Sequence, residues 1–311
     1  MFVGVDIGGT KVAAGLVDAD GKISSQKRVP MISNLSAQEG LSAVLSAIAQ
    51  VRPSDAAQVS GIGICAPGPL NPKTGVILNP PNVPCWRDFP LAESVQRNYP
   101  VPVHVDNDAN AAALAETRWG AARGYRNVFY ATIGTGIGTG IIFDGRIFHG
   151  RTGAAGEGGH VSIDYRGPLC GCGKPGCIEA LASGTAIVRR AREAIGTGRK
   201  SCMLQLAGGN LTAITGEVVG RASDTGDALA QEILTETTEM LALWLSNMVD
   251  LLDPEVIVIG GGAAALLRRF FDQLRDRMPK LAVNPRASEV PIVHAHYGAD
   301  SGIAGGAALC A

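Results

Sequence analysis

The feature that most constrains the fold is a pattern that occurs twice, 126 residues apart. Ile7-Gly8-Gly9-Thr10 aligns with Ile133-Gly134-Thr135-Gly136, and Val17-Asp18 aligns with Phe143-Asp144 at the same offset. Each copy reads as a short apolar strand, a glycine turn and a second strand. Such a repeat predicts an internal duplication, each half opening on a β-hairpin bent around glycine. In the first copy, Asp18-Ala19-Asp20-Gly21 separates residues 12–17 from 23–29, and its Asp-Gly pair signals another hairpin. The chain is therefore expected to open as a three-stranded meander.

Beyond the hairpins, strands alternate with helices. Residues 59–65, 101–105, 255–259 and 292–295 read as strands. Residues 36–51 carry Leu41, Val44, Leu45 and Ile48 at helical spacing behind Ser36. Further helices are predicted over 108–119, 183–195, 211–223, 227–252, 263–278 and from Ser301 onward. Residues 71–88, rich in Pro and Asn, read as a loop. The alternation predicts an α/β fold. The 311 residues suffice for two cores. The change of domain is expected near Trp119-Gly120: residues 1–118 form one α/β domain, and residues 119–299 a larger one. The last helix, 300–311, is expected to pack back on the first domain.

Composition removes several classes of function. The net charge is −1 and no basic stripe is present, so nucleic acid is not an expected partner. No uncharged apolar run approaches the roughly 20 residues of a spanning helix. Residues 1–6 read as a strand and lack the basic start of a secretory leader. Seven cysteines suit reduced thiols and a metal site better than a disulfide framework. The expected location is the cytoplasm, away from membranes.

The 41 glycines cluster where backbone would approach a ligand. In Asp6-Ile7-Gly8-Gly9-Thr10-Lys11, glycine exposes backbone N–H groups, and Thr10 and Lys11 add side-chain donors, a suitable cradle for polyphosphate. Asp6 is placed to orient water on Mg²⁺. Gly134-Thr135-Gly136 offers the equivalent turn, and the two are expected to face each other across a cleft and grip one nucleotide tail. Gly260-Gly261-Gly262, between a strand and a helix, suits an anion or the edge of a ribose. The chain contains no G-x-x-x-x-G-K-S/T, and neither of these last two glycine segments fits G-x-G-x-x-G, which argues against P-loop and dinucleotide enzymes.

Cys170, Cys172 and Cys177 lie within eight residues, and His160 precedes the first by ten. One imidazole and three thiols match a closed tetrahedral zinc site with a structural role. Cys65, Cys85, Cys202 and Cys310 are scattered and read as small apolar fillers. Asp108 falls where a strand ends and a helix begins. It is a candidate to accept a proton from an attacking hydroxyl, or simply to cap the helix; Asp106 is the alternative base. Glu157 and Glu179 flank the metal ligands and, with His160 and Asn107, suit the hydroxyls of a sugar.

Together these segments resemble the ROK family of bacterial sugar kinases and repressors, within the actin-like ATPase superfamily. The resemblance runs from Asp6 to the C-terminal Gly-Ala helix. Its most specific parts are Glu157-Gly-Gly-His160 and Cys170-Gly-Cys-Gly-Lys-Pro-Gly-Cys-Ile-Glu179. It implies a duplicated, ribonuclease H-like two-domain fold with an interdomain cleft. It implies ATP, Mg²⁺ and a structural Zn²⁺, with Asp108 deprotonating a sugar 6-hydroxyl. Gly68, Asn82, Asn107, Asp108, Glu157, His160 and Glu179 would contact the sugar. Asp6, Gly8, Gly9, Thr10, Lys11, Gly134, Thr135, Gly136, Gly261 and Gly262 would contact the nucleotide. His160, Cys170, Cys172 and Cys177 would hold the zinc, and a homodimer or homotetramer is usual.

The activity this implies is phosphorylation of a hexose. Glucose is expected first; fructose, mannose, N-acetylglucosamine and N-acetylmannosamine are the alternatives. A sugar-sensing repressor would need a DNA-binding segment ahead of the first strand, which begins at residue 2. The sequence departs from the family pattern at Cys85, where Gly is common, and at Gly159, expected to widen the sugar pocket.

Overall fold

The computed structural model describes residues 1–31, 36–53, 58–267 and 270–311. In chain order its strands are β1 (Phe2–Ile7), β2 (Lys11–Val17), β3 (Ile23–Pro30), β4 (Gly61–Ala66), β5 (Leu70–Asn71), β6 (Val76–Ile77), β7 (Phe89–Pro90), β8 (Val103–Asn107), β9 (Val128–Ile133), β10 (Ile137–Phe143), β11 (Arg146–Ile147), β12 (Val256–Gly260) and β13 (Ile292–His294). Among the described residues they form two five-stranded sheets, β3-β2-β1-β4-β8 and β11-β10-β9-β12-β13, and a small sheet β5-β6-β7.

The repeat read from the sequence is present in the backbone. β1 and β9 begin and end 126 residues apart, and so do β2 and β10. Each large sheet has the same order within its half: third, second, first, fourth and fifth strand. In the first sheet β1 pairs antiparallel with β2 and parallel with β4, and β4 pairs parallel with β8.

The chain forms two compact units. Unit 1 holds Met1–Tyr130, Gly140–Gly156 and His294–Ala311; unit 2 holds Ala131–Thr139 and Glu157–Val293. Residues 119–130 and 140–156, expected with the second domain, thus fold with the first. One reason is direct backbone packing: a Cβ on Gly140 would lie 2.6 Å from the Ala109 carbonyl oxygen.

In unit 1 the helix Ala37–Val51 starts at a capping box. Ser36 accepts from the Glu39 N–H, and the Glu39 carboxylate accepts from the Ser36 N–H. Its buried face joins Val3, Val5, Ile62 and Ile64 in the core. The helix Ser301–Ala308 is built almost wholly of small residues because it lies on the sheet backbone. A Cβ on Gly4 would sit 1.8 Å from the Ile303 carbonyl oxygen, and one on Gly63 1.7 Å from that of Gly306.

Unit 2 is organised on the helix Ala228–Leu252, capped by Asp227, whose side chain accepts from the Ala230 N–H. Fully buried Trp244 on this helix donates to the Gly158 carbonyl at 3.1 Å and so supports residues 157–160. Every residue of β12 is buried.

The structure departs from the expected elements in several places. Among the described residues, the helix expected over 263–278 is two, Gly262–Leu266 and Phe271–Leu281. Residues 71–88 are not all loop, since β5, β6 and β7 pair antiparallel around them. The helix expected over 211–223 begins at Gly216, because Thr215 accepts from the Val218 N–H and sets the start there. No helix among the described residues is long and apolar enough to cross a membrane.

Candidate active site

The first glycine turn closes with the Gly8 N–H on the Lys11 carbonyl at 2.9 Å. Thr10 and Lys11 are exposed beside it. Gly9 is required by a neighbour: a Cβ there would lie 2.8 Å from the Asn82 carbonyl oxygen. Asn82 is itself exposed, so the loop that carries it lies against this turn. Asp6, at the end of β1, has its carboxyl pushed up to about 6, first by burial and then by the negative charge of Asp108; Lys11 and Arg28 oppose the shift. Two carboxylates that repel each other beside this turn could hold a divalent cation.

β8 delivers Asn107 and Asp108 to the start of the helix Asp108–Arg118. Asn107, not Asp108, is the N-cap. Its Oδ1 accepts from the Ala109 N–H at 2.9 Å and the Asn110 N–H at 3.4 Å. Asp108 is exposed in the first helical turn and accepts from the Ala109 N–H at 2.8 Å.

Asp106, the alternative base, is only 4% exposed and fully engaged. Its Oδ1 accepts from the Asn107 N–H at 2.7 Å and from Asn110 Nδ2 at 3.1 Å, and its Oδ2 lies 2.6 Å from His149 Nε2. Asp106 therefore braces the turn. His149, from the hairpin that follows β10, carries no local signal in the sequence; only the fold brings it to Asp106. Gly68 belongs to the same corner, since a Cβ there would lie 3.8 Å from Asn107 Nδ2. Trp86 is a core residue: fully buried, it stacks on Phe89 at 5.3 Å and donates to the Ala37 carbonyl at 3.1 Å. Cys85 packs against the helix Ala37–Val51, with its sulfur 3.2 Å from the position of a Cβ on Gly40.

In unit 2 the second glycine turn is tighter: the Gly134 N–H reaches the Gly136 carbonyl at 2.9 Å. A cavity of about 1180 Å³ opens beside it. Gly134, Thr135, Gly262 and Ala263 form part of the wall, and the helices Gly184–Gly196 and Gly216–Asp224 supply most of the rest. The space is ample for a nucleotide-sized ligand. Gly261 does not line it. Its φ of 91° and the 2.4 Å between a Cβ there and the Ile133 carbonyl oxygen make it a packing glycine against β9. Arg189, Arg192, Glu217 and Arg221 also line the cavity and were not expected. Their three- and four-residue spacing marks one polar stripe per helix, which from sequence alone resembles any solvated face.

The candidate metal cluster also lies in unit 2. One ligand atom from each of His160, Cys170, Cys172 and Cys177 falls within 4.8 Å of all the others. Cys170 Sγ is 3.6 Å from His160 Nδ1, and Cys172 Sγ is 3.6 Å from Cys177 Sγ. A tetrahedral zinc, about 2.3 Å from sulfur and 2.0–2.1 Å from nitrogen, spaces its ligands roughly 3.5–3.8 Å apart. The four residues therefore fit zinc in chemistry, and two of their pairs already have the spacing zinc requires. Burial, and then hydrogen bonding among the thiols, pushes Cys177 up to about 12, so a cation entering here displaces a proton.

Glu157 is exposed and makes no capping bond to the short helical turn Gly158–His160. Gly159 does not widen a pocket, contrary to expectation. It is buried, and a Cβ there would meet the Ile137 carbonyl oxygen at 1.9 Å, so glycine is needed to seat this turn on β10. Glu179 sits between two sites: its Oε2 accepts from the Ile137 N–H at 2.9 Å, and its Oε1 lies 3.7 Å from Cys170 Sγ.

Comparison with known proteins places this geometry in context. The model of the ROK family matches residues 2–311. The chain is 35% identical to a glucokinase of Streptomyces coelicolor over 312 residues, covering 99% of this chain and 97% of that protein. It is 32% identical to an N-acetylmannosamine kinase of Escherichia fergusonii, covering 98% and 96%. The crystal structure of a ROK family glucokinase from Streptomyces griseus, in complex with glucose and AMPPNP, is similar with a TM-score of 0.83 and 34% identity, over 99% of this chain and 98% of that one.

Proposed function

Since the chain belongs to the ROK family, we propose that it transfers the γ-phosphoryl group of ATP to the 6-hydroxyl of a hexose, with glucose as the first substrate. One observation carries the assignment of the base. Asn107 takes over helix capping, so Asp108 stands exposed at the helix start while Asp106 is locked to His149 and Asn110. Full-length likeness to glucokinases supports the substrate.

In this reading Asp108 accepts the proton of the 6-hydroxyl as that oxygen forms its bond to the γ-phosphorus. The bond from that phosphorus to the bridging oxygen breaks and ADP leaves. Lys11, Thr10 and the backbone N–H groups of the two glycine turns offset the phosphate charge. Magnesium, which Asp6 would hold through water, supplies further charge neutralisation when bound. Asn82, Asn107, Glu157, His160 and Glu179 orient the hexose hydroxyls, and positioning supplies much of the rate. Zinc on His160, Cys170, Cys172 and Cys177 fixes the loop that presents His160 and Glu179. Seven free thiols and a need for ATP suit a reducing cytoplasm.

An ADP-release assay across glucose, mannose, fructose, N-acetylglucosamine and N-acetylmannosamine tests the proposal. The expected result is the highest kcat/KM with glucose. A preference for N-acetylmannosamine would move the chain to the second reading, which the likeness to N-acetylmannosamine kinases favours. No sugar-dependent ADP release from any of the five would reject the kinase.

A further inference from the structure

We propose that the metal cluster sets nucleotide affinity through Glu179, which ties the cluster to the second glycine turn. The proposal rests on reading Gly134–Gly136 as a phosphate-binding turn. It concerns a different ligand from the hexose that the metal loop is expected to position.

The link is continuous and lies wholly within unit 2. Cys177 is both a candidate metal ligand and the N-cap of the short helix Ile178–Ala182. That helix is fixed at its start, where the Ile178 N–H donates to the Val161 carbonyl at 3.0 Å and Ser162 bridges to Cys177. Glu179 is in its first turn. One carboxylate oxygen holds the Ile137 N–H at 2.9 Å, at the exit of the glycine turn. The other lies 3.7 Å from Cys170 Sγ and 3.9 Å from His160 Nδ1, within the ligand set. Just past the far end of the helix, the Gly184 N–H donates to the Gly134 carbonyl at 2.8 Å. The turn is thus held on one side by Glu179 of this short helix and on the other by Gly184, which opens the next helix, and the short helix starts from a candidate metal ligand.

Gly136 shows how closely the two are fitted. A Cβ there would lie 2.3 Å from Glu179 Oε2, so the carboxylate rests on the turn's backbone with no room between. Thr135, Gly136, Cys170, Gly171 and Glu179 also line one cavity of about 330 Å³. A five-residue helix has little stability of its own and takes its position from what holds its ends. When the cluster is empty, the start of this helix keeps its backbone bonds to residues 161 and 162 but loses the tie from Cys177 to the other three ligands. Glu179 then no longer clamps Ile137, and the turn must be ordered at the expense of nucleotide binding. In this respect Glu179 is a positioning residue.

Binding of MgAMPPNP, measured without sugar, tests the link. Stripping the metal from the wild-type protein is expected to weaken binding roughly tenfold, a typical coupling between sites. Glu179→Ala is expected to bind weakly when metal-loaded and to show no further loss when stripped. Glu179→Gln, which keeps an acceptor for the Ile137 N–H, should restore most of the loaded affinity. Equal affinity in stripped and loaded wild type, or an undiminished metal effect in Glu179→Ala, would overturn the proposal.

Should stripping unfold the protein, amide exchange at Ile137 in the metal-loaded proteins decides the matter. Faster exchange in Glu179→Ala than in wild type supports the clamp, and equal exchange refutes it. If the loaded wild type does not bind MgAMPPNP at all, the nucleotide reading fails, while the exchange at Ile137 still decides whether the clamp exists.

Discussion

The two glycine turns descend from the same strand–turn–strand pattern, yet they are built for different work. The first closes from Gly8 to Lys11 and carries the charged groups, Lys11 on the turn and Asp6 at the strand end. The second closes one residue sooner, from Gly134 to Gly136, and has Thr132 and Ile137 at the equivalent positions. Its charge is borrowed: Glu179, from the short helix that starts at the candidate metal ligand Cys177, reaches in to hold the Ile137 N–H. A duplicated backbone thus keeps its geometry while its two copies diverge. One holds its titrating groups in its own strand, and the other depends on a separate anchored helix.

That contrast is open to direct attack. The largest effect is expected where unit 2 loses its anchor. Cys172→Ser removes one of four ligands, and the variant is expected to lose zinc in metal analysis and to melt more than about 10 °C below wild type, because metal binding here is folding energy. A soluble, metal-free variant with an unchanged melt would show that the cluster is not structural.

The next effect belongs to the first turn. The folded-state pKa of Asp6, about 6, exceeds its unfolded value of 3.8, so the folded protein holds this proton more tightly. Stability from this group is therefore greatest below about pH 4 and falls as pH rises through about 6. Asp6→Asn abolishes that loss. In urea melts it should exceed wild-type stability at pH 7.5 by up to about 3 kcal/mol, at 1.36 kcal/mol per unit, with the difference closing near pH 4. Thr132→Val, at the equivalent site of the second hairpin, should show no such pH dependence. A constant Asp6→Asn difference across pH would remove the electrostatic distinction between the turns.

Within the turns, the glycines should separate by what lies behind them. Gly136→Ala and Gly9→Ala place a methyl 2.3 Å from Glu179 Oε2 and 2.8 Å from the Asn82 carbonyl oxygen. Each should cost about 1–3 kcal/mol in thermal melts. Gly134→Ala meets nothing within 4 Å, and Gly8→Ala only an ordinary contact at 3.4 Å. These two should change stability by less than about 0.5 kcal/mol and weaken MgAMPPNP binding instead. Equal destabilisation by all four would show that packing, and not ligand approach, requires every glycine here.

Much of this was legible in the sequence because it is encoded locally. Each copy of the repeated hairpin, the thiol spacing and the strand-to-helix junction at Asp108 lie within short windows. The illegible parts depend on distant residues meeting. His149 brackets Asp106 from 43 residues away, and Glu179 reaches Ile137 from 42. Gly159 looked like a glycine that widens the pocket and Gly261 like a nucleotide contact, but each is fixed by a carbonyl oxygen of a neighbouring strand. The polar stripe of Arg189 and Arg192 has the spacing of a solvated helix face, and only the packing of two helices around a cavity gives it a different neighbour.

The account depends most on the carboxylate at position 108, and one comparison tests it. Glucose affinity and kcat are measured in wild type and Asp108→Asn, the second by single-turnover kinetics so that product release does not mask the chemical step. The predicted result is glucose binding within about threefold of wild type and a phosphoryl-transfer rate lower by roughly 10²-fold or more, as for a lost general base. An unchanged transfer rate in the variant would contradict the account.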